Sequence, residues 1–407
     1  MKIVFVNQFF FPDQSATSQL LTDLAFHLAR HGYQVSVVAS RQRFDDPAAI
    51  LPAREKVEGV DVYRVWTTRF GRGFLLGRAL DSATFYSSAA WRLLRIASRN
   101  CVIVAKTDPP MIGVVAWLCA RLRGARLVNW VQDVFPEIAQ TLGVKVVGGA
   151  AGMLLRRIRN LSLHGAEMNV ALGERMAERL VEQGTAKERI AIIANWADGA
   201  AIRPLAPEDN PLRREWGLEG KFVVGYSGNM GRAHEFAAIM GAAELLKDEP
   251  RVVFLFIGGG HGKASLERKA AERGLASLRF KPFQPRSALG LSLTVPDAHL
   301  ISLRPELEGY VLPSKFYGAI AAGRPVLFIG SPEGELPPLL EKNECGLVFA
   351  ADEAARLAES IRRLNEARDL SARMGRNARA LFERRFDKPL ALAAWEELLR
   401  VSGKKRA

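Results

Sequence analysis

The segment that decides how this chain folds reads Pro313-Ser-Lys-Phe-Tyr-Gly-Ala-Ile-Ala-Ala-Gly-Arg-Pro-Val326. It predicts a helix that starts after the proline, runs through small residues, ends at Gly323 and is followed by the strand Val326–Ile329. Free amides at a helix N-terminus attract anions, and Ser314 and Lys315 add a hydroxyl and a positive charge to the first turn. This chemistry suits a nucleotide diphosphate, but a first-turn lysine is as often only solvated, so the segment alone leaves phosphate binding open.

The composition is that of a soluble globular protein. A chain of 407 residues is too long for one ordinary core and predicts about two or three domains, and 48% hydrophobic and 25% charged residues fit that class. Cys101, Cys119 and Cys345 are too scattered for a disulfide framework or a metal cluster, which favours a reducing cytoplasm. The N-terminus lacks the pattern of a signal peptide, and the longest apolar run, 111–120, is too short to span a bilayer.

Strand and helix patterns alternate in two series. The first opens with a continuous apolar strand at 2–7, a helical stripe from Leu20 to Leu28, a stop at Gly32 and a second strand at 35–39. A proline-rich link at 203–211 separates the two series. Further strands are predicted at 101–105, 126–131, 168–172, 190–193, 222–226, 252–257, 299–303 and 326–329. The pattern predicts doubly wound α/β domains, which bind ligands at the carboxyl ends of their strands.

Two glycine-rich loops follow strands of the second series. They read Tyr226-Ser-Gly-Asn-Met-Gly-Arg232 and Gly258-Gly-Gly-His-Gly262. Each loop alone is weak evidence because tight turns also use glycine, but together with Lys315 they place three donor-rich loops at one sheet edge. The candidate donor-binding residues on these loops are Gly228, Asn229, Gly231, Arg232 and Gly259.

The order and spacing of the motifs resemble the GT-B glycosyltransferases of family 4. The resemblance covers nearly the whole chain and rests on the segments 10–13, 31–37, 130–137, 193–198, 227–232, 254–260 and 313–326. It is nearest to the subgroup that adds fucosamine-type or related sugars in bacterial surface polysaccharides of the colanic acid or O-antigen type. The resemblance implies an α/β GT-B fold with two doubly wound Rossmann-like domains facing across a cleft. It places an acceptor-side domain at 1–200, a nucleotide-sugar domain at 201–385 and, at 386–407, a helix returning to the first domain.

The resemblance also implies a reaction. A sugar would pass from a nucleotide diphosphate donor, a UDP-sugar in preference to a GDP-sugar, with retention of anomeric configuration and without a metal or another cofactor. The sequence accordingly shows no acidic pair and no His/Cys cluster suited to a metal ion. Departure of the diphosphate leaves negative charge, which fixed donors stabilise in the transition state. The candidates for that role are Lys315, Arg232, Asn229 and Ser314.

Two glutamates that the family usually carries are missing. In the family one binds the nucleotide ribose and the other the donor sugar, and counting back from Gly323 puts these positions at Gly318 and Tyr310. Glu308 is the candidate replacement, whereas Glu306 is expected to face solvent.

The Arg-Lys pair that the family usually places on the donor phosphates is also incomplete. Arg232 is present, but His234-Glu235 stands where a lysine is expected, so Lys315 is the candidate to take over that role. Phe283 and Gln284, which follow a predicted strand ending at Phe280, are candidate neighbours of the base. The remaining candidates on the donor side are Tyr317 and Gly318.

Acceptor binding is expected from the N-terminal half. Its candidates are Gln14, Ser15 and Thr17 in the first loop and Gln132 after another strand. Asp133 is placed to orient or deprotonate an acceptor hydroxyl, with helix capping as the competing interpretation.

Basic charge is concentrated in the first part of the chain. Residues 1–165 hold 21 Lys and Arg against 11 Asp and Glu, so they carry +10 of the total +14. At 69–99 and 153–159 arginines alternate with Leu, Phe and Trp, a mixture that suits helices lying on anionic lipid as well as it suits ordinary amphipathic helices with solvated arginines. No nucleic-acid-binding motif is present. We therefore expect a protein held by its basic N-terminal domain on the inner face of the cytoplasmic membrane, next to a lipid-linked saccharide acceptor.

The sequence is also compatible with two other functions. A nucleotide-sugar epimerase could use the same two-domain fold, but it would need acid and base carboxylates and no lipid-facing surface. A degenerate transferase acting as a scaffold would explain the missing glutamates.

Overall fold

The computed structural model describes residues 1–44, 46, 48–71 and 75–404. These residues form two compact units: unit 1 comprises Met1–Ala194, Gly309–Val311 and the chain from Ala391 onward, and unit 2 comprises Asn195–Glu308 and Leu312–Leu390. Arg72 and Phe74, which belong to the arginine-rich segment 69–99, lie outside the described residues.

Unit 1 is built on an eight-stranded sheet. Its strands are β1 (Lys2–Val6), β2 (Gln34–Ser40), β3 (Arg54–Val57), β4 (Val60–Val65), β5 (Cys101–Lys106), β6 (Arg126–Trp130), β7 (Met168–Ala171) and β8 (Ile190–Ile192). They lie in the order β3-β4-β2-β1-β5-β6-β7-β8, and all pairs except β3 with β4 are parallel. The order reverses between β1 and β5, which marks the carboxyl ends of these two strands as the expected ligand edge.

Unit 2 is built on a six-stranded, fully parallel sheet. Its strands are β9 (Phe222–Ser227), β10 (Val252–Ile257), β11 (Leu278–Lys281), β12 (Ala298–Ser302), β13 (Val326–Ile329) and β14 (Gly346–Phe349), in the order β11-β10-β9-β12-β13-β14. The reversal here lies between β9 and β12. Every residue of β10 is buried, as expected for a strand covered by helices on both faces.

Helices connect the strands and cover the sheets. In unit 1 they are α1 (Ala16–Arg30), α2 (Leu75–Ile96), α3 (Ile112–Arg123), α4 (Glu137–Thr141), α5 (Gly149–Gly165) and α6 (Glu174–Glu182). In unit 2 they are α7 (Pro211–Glu215), α8 (Ala237–Leu245), α9 (Lys263–Glu272), α10 (Leu289–Thr294), α11 (Lys315–Ala321), α12 (Leu336–Lys342), α13 (Ala354–Glu366) and α14 (Arg368–Arg385). The last helix, α15 (Lys388–Lys404), belongs to unit 1 from Ala391 onward. The predicted α/β class with doubly wound parallel sheets is confirmed.

Three strands were missing from the sequence prediction. Strands β3 and β4 form a hairpin whose two-residue turn, Glu58-Gly59, has positive φ at both positions, 48° and 82°. Such a turn matches the right-handed twist of paired strands. The polar residues of Arg54–Val57 concealed this edge hairpin, and the third missing strand, β14, is only four residues long.

One helical layer of unit 1 combines exposed apolar residues with arginines. Helix α3 packs between α2 and α5. Its exposed large apolar residues, with those of its two neighbours, are Leu76, Leu80, Trp91, Leu118, Leu122, Met153, Leu154 and Leu161. Asp81 is the one acidic residue in the sequence of these three helices, and it is buried, where it accepts hydrogen bonds from Thr68 and Phe70. In the part of the chain that the structure describes, no helix has the length and apolar character needed to cross a membrane.

Candidate functional site

Unit 2 carries a site where its sheet order reverses. The loops that follow β9, β10 and β12 begin at the same sheet edge because parallel strands end together there. The two glycine loops are joined by backbone hydrogen bonds: Met230 N donates to Gly259 O over 2.7 Å, and Gly262 N donates to Met230 O over 2.9 Å. The structure thus brings together the two loops that the sequence singled out.

Glycine is required where these loops touch. Gly258 has a φ of 138°, and a Cβ atom there would lie 2.2 Å from the carbonyl oxygen of Gly228. At Gly260 a Cβ atom would lie 2.1 Å from Asn229 Oδ1. No side chain fits at either position, so the backbone itself forms the surface of the site.

Lys315 lies against the first glycine loop. Its Cε is 3.0 Å from the position of a Cβ built on Gly228, and its Nζ lies 5.1 Å from the centre of the Tyr226 ring. Nζ also donates a hydrogen bond to His234 Nε2 over 2.9 Å. The stem of Lys315 therefore packs on the first glycine loop, and His234 holds its amine.

His234 holds this amine as a neutral acceptor. Its Nδ1 donates to the carbonyl oxygen of Ser302 over 2.6 Å, which leaves Nε2 with a lone pair for Lys315. Burial, and then the neighbouring Lys315, lower the pKa of His234 to about 3. A histidine thus occupies the place where the sequence suggested a missing second cation, and it orients the lysine instead of adding charge.

The charge of Lys315 differs from the sequence expectation. The sequence predicts a fully protonated Lys315, but burial lowers the pKa of this amine from 10.5 to about 7. Near neutral pH the unliganded amine is about half protonated. An anion placed against it would restore the full charge.

The other donor-side candidates divide into surface and buried positions. Phe283 is exposed, and its ring lies 3.2 Å and 3.1 Å from Cβ positions built on Gly258 and Gly259. Arg232 and Ser314 are exposed, whereas Gln284 donates to its neighbour Pro282 O. Asn229 and Gly231 are in contact within the first loop.

Two candidates lie in the packing of α11. Tyr317 is buried and packs edge to face against Phe316 and Phe386. A Cβ atom on Gly318 would meet Leu293 Cδ1 at 3.1 Å. These contacts of both residues are therefore with apolar side chains and not with the glycine loops.

The positions of the missing glutamates have other contacts. Tyr310 belongs to unit 1, where its carbonyl oxygen accepts a hydrogen bond from Val134 N and its ring lies under the Arg179 guanidinium, 5.2 Å away. Glu308 stays in unit 2, and its Oε1 accepts from Glu335 N over 2.8 Å. This carboxylate is therefore held by the first residues before α12, while Glu306 is exposed as expected.

Unit 1 carries a second polar cluster at its own reversal point. Lys106, at the end of β5, is fully buried, donates from Nζ to Thr17 O over 2.9 Å and lies 3.6 Å from the centre of the Trp130 ring. Asp108 Oδ2 accepts from Thr17 Oγ1 over 3.0 Å. The third charged member is Asp133, which follows β6.

Asp133 has the electrostatics of a general base. Burial, and then repulsion from Asp108, raise the pKa of Asp133 to about 6, while Lys106 opposes the shift. Burial lowers the pKa of Lys106 well below its ordinary value, against the attraction of Asp108, Asp23 and Asp133. A carboxylate with a pKa near 6 is ionised at neutral pH and is a stronger base than an ordinary aspartate.

The other acceptor-side candidates are only partly in this cluster. Thr17 belongs to it, and the backbone of Gln132 is tied to the same segment, since Gln132 N donates to Thr107 Oγ1 over 2.8 Å. Ser15 instead binds the carboxylate of Asp13, and Gln14 is exposed. The sequence reading missed Lys106 and Asp108, although both follow a predicted strand of the first series.

Two family models match the chain: the glycosyl transferase 4-like domain over residues 17–196 and the glycosyl transferases group 1 domain over residues 208–381. The Escherichia coli (strain K12) protein named as the colanic acid biosynthesis glycosyl transferase WcaI is 32% identical over 55% of this chain and 56% of its own length. The Pseudomonas aeruginosa protein named as glycosyltransferase WbjE is 25% identical over 98% of each chain.

Solved structures share the fold. Anabaena Alr3699/HepE in complex with UDP and glucose superimposes with a TM-score of 0.73 at 19% identity, covering 98% of this chain and 100% of that chain. At this identity the likeness shows a common architecture.

Proposed function

Because the chain belongs to the glycosyltransferases, with a 4-like domain and a group 1 domain on a GT-B fold, we propose that unit 2 binds a nucleotide diphosphate sugar and that the chain transfers its sugar to a glycan acceptor. The observation that carries this proposal is that the Lys315 side chain packs on the first glycine loop at the carboxyl edge of the unit 2 sheet, with its amine held by His234. The backbone surface admits a diphosphate closely, and the amine supplies the opposite charge.

The leaving diphosphate gains charge as the bond to the sugar breaks. A protonated Lys315, the exposed Arg232 and the amides of the glycine loops would stabilise that charge more strongly in the transition state than in the ground state. His234 would keep the lysine in place as an acceptor without competing for the phosphates. We propose that the transfer retains the anomeric configuration and needs no metal, as the family resemblance implies, and that the donor is a UDP-sugar. That HepE was crystallised with UDP and glucose supports the choice of nucleotide.

Asp133 is the proposed acceptor-side base. Asp133 lies at the end of β6, and its raised pKa makes the carboxylate a better proton acceptor. Asp108 and Lys106 would set its charge. The name of WcaI, a colanic acid biosynthesis glycosyl transferase, supports a role in bacterial surface polysaccharide synthesis, and we propose a lipid-linked saccharide as the acceptor.

The function is tested by incubating the purified chain with radiolabelled UDP-sugars, with and without lipid-linked acceptors extracted from bacterial membranes. Label that enters the lipid fraction only in the presence of both chain and acceptor supports a transferase. A new sugar epimer without acceptor would establish an epimerase. No binding of any nucleotide sugar would favour a non-catalytic scaffold.

We also propose that the layer formed by α2, α3 and α5 rests on an anionic membrane surface. Two observations support this proposal. Exposed apolar residues and arginines share the layer, and Arg95 lies over the Trp91 ring, 4.2 Å from its centre. Apolar side chains enter the headgroup region, while basic ones attract anionic lipid at about 1 kcal/mol each.

Removing two of these charges should weaken membrane binding. The double variant Arg95→Gln, Arg121→Gln should bind phosphatidylglycerol vesicles about thirtyfold more weakly in cosedimentation, since each arginine near the surface contributes about 1 kcal/mol. Arg273→Gln, directly after α9 of unit 2, is the control and should bind like the wild type. Equal sedimentation of the wild type with neutral and anionic vesicles would contradict the proposed surface.

The affinity for a nucleoside diphosphate should depend on pH through Lys315. The free amine has a pKa of about 7, and a bound diphosphate favours its protonated form, so binding takes up a proton above that value. The association constant should therefore be near its maximum at about pH 7 and fall about five- to tenfold per unit above it. Calorimetric titrations with UDP measure this. Lys315→Arg stays charged throughout and should flatten the profile, whereas a flat wild-type profile would contradict the lowered pKa.

A further inference from the structure

A cluster of two histidines and one glutamate lies on unit 1, outside both polar sites. His27 and His31 are one turn apart at the end of α1, and Glu396 lies on α15. His27 Nε2 is 3.0 Å and His31 Nδ1 is 2.7 Å from the same oxygen, Glu396 Oε2. Two imidazoles from one helix thus converge on one carboxylate from another.

The spacing of these atoms matches a metal coordination sphere. Zinc–nitrogen and zinc–oxygen bonds of about 2.0–2.1 Å at tetrahedral angles place neighbouring ligand atoms about 3.3 Å apart. The two measured nitrogen–oxygen distances are slightly shorter, and the three ligand atoms all lie within 4.8 Å of one another. Small side-chain rotations would therefore admit an ion at their centre.

The surroundings also suit a cation. The side chain of Glu396 is 27% exposed, those of His27 and His31 are 21% and 48% exposed, and an ion can enter from solvent. Tyr33 also hydrogen-bonds with Glu396, and Glu397 and Arg400 act electrostatically on Tyr33. Arg400 donates two hydrogen bonds to Glu397, which neutralises the positive charge of its guanidinium.

We propose that His27, His31 and Glu396 bind a divalent transition-metal ion of the zinc class and that this ion links α15 to α1. Two imidazoles and a carboxylate form a ligand set that zinc uses with water in the fourth position. Imidazole ligands select such ions over magnesium and calcium. In the metal-free protein the ring nitrogen next to Glu396 carries the proton. When the ion binds, that nitrogen offers its lone pair to the metal, and the proton is carried by the other ring nitrogen.

The site is structural in character. His27 is ten residues beyond Thr17 on α1, which corresponds to about 15 Å along a helix, so the ion would lie away from the cluster around Asp133. Leu28 follows His27 where zinc hydrolases with this histidine spacing have a glutamate base. Next to Glu396, Trp395 is fully buried and lies 4.6 Å from Trp130. The ion would thus hold the helix that supplies Trp395 to the core of unit 1.

The test compares metal-induced thermal stabilisation of the full chain and three single variants. After treatment with EDTA and its removal, at about pH 7.5, zinc chloride should raise the melting temperature of the wild type by about 5 °C at a concentration a hundredfold above the dissociation constant. His27→Gln, His31→Gln and Glu396→Gln should each lose this rise. Magnesium chloride should have no effect on any of them.

His164→Gln, which removes an exposed histidine of α5, is the matched control and should keep the full response to zinc. A cobalt titration of the unmodified chain gives a readout that does not depend on the folding of variants. Visible absorption of four-coordinate cobalt, with one ion bound per chain and displaced by zinc, would support the site. Absence of that spectrum, or an equal zinc response in all three variants and the wild type, would overturn the proposal.

Discussion

Lys315→Ala should bind a nucleoside diphosphate about ten- to a hundredfold more weakly than the wild type. A hydrogen bond between charged groups contributes about 1.5–3 kcal/mol, and a hundredfold change in affinity corresponds to about 2.7 kcal/mol. The Lys315 side chain lies against the first glycine loop in a partly buried setting, where the interaction of its amine with phosphate would be screened little by water. Thermal-shift and calorimetric titrations with UDP, GDP, ADP and dTDP measure the loss and identify the base.

A matched variant separates this loss from general damage. Lys263→Ala removes a lysine that begins α9, directly after the second glycine loop, where it pairs with Glu267. It should retain most of the affinity. If Lys315→Ala kept a normal thermal shift while folded, the assignment of the phosphates to this lysine would be wrong.

The same lysine should cost the unliganded protein stability. Its folded pKa lies below its unfolded value of 10.5, so the unfolded chain binds the proton more tightly and folding is penalised at every pH below about 10.5. The penalty grows as pH falls towards 7 and is constant below that. Lys315→Met, which keeps the apolar stem, should therefore melt at a higher temperature than the wild type near neutral pH and at a similar temperature near pH 10.5.

Asp133→Asn should lower turnover by about two to four orders of magnitude, the usual contribution of a general base, and leave the affinity for the nucleotide unchanged. Asparagine keeps the size of the side chain but cannot accept the acceptor proton. The wild-type rate should rise with pH through about 6, because the base acts in its ionised form above the pKa that burial and Asp108 give it. Initial rates of sugar transfer across this range, at saturating donor, measure both effects.

Asp108→Asn tests the electrostatic part of this prediction. Removing the charge of Asp108 removes one cause of the raised pKa of Asp133, so the acidic limb of the rate profile should move to lower pH. The asparagine oxygen can still accept from Thr17. An unchanged profile in this variant, or full turnover in Asp133→Asn, would show that another group takes the proton.

The fold could be predicted because the buried strands of a parallel sheet are continuous apolar runs. Strands β1, β5 and β10 were recognised from such runs, and the glycine loops after β9 and β10 were recognised from their position behind a strand. The edge hairpin of β3 and β4 could not be recognised in that way, since its polar residues give no such run. The boundaries assigned to the domains remain predictions.

The candidate sites depended on contacts that sequence patterns do not contain. The reduced charge of Lys315 arises from burial, and its hydrogen-bond partner His234 lies 81 positions earlier in the chain. Lys106 and Asp108 follow a recognised strand, but only the fold brings them to Thr17. The proposed metal ligands could not be found from the sequence for the same reason, because Glu396 is 365 positions away from His31.

The pair of indoles at Trp130 and Trp395 offers an optical probe of the last helix. Two indoles 4.6 Å apart couple their electronic transitions and give an exciton couplet in circular dichroism, which isolated tryptophans do not show. The couplet would vanish when α15 leaves the sheet of unit 1, whereas the backbone signal would persist until the sheet itself unfolds. Detachment of this helix could therefore be followed separately from the melting of the strands, without any attached dye.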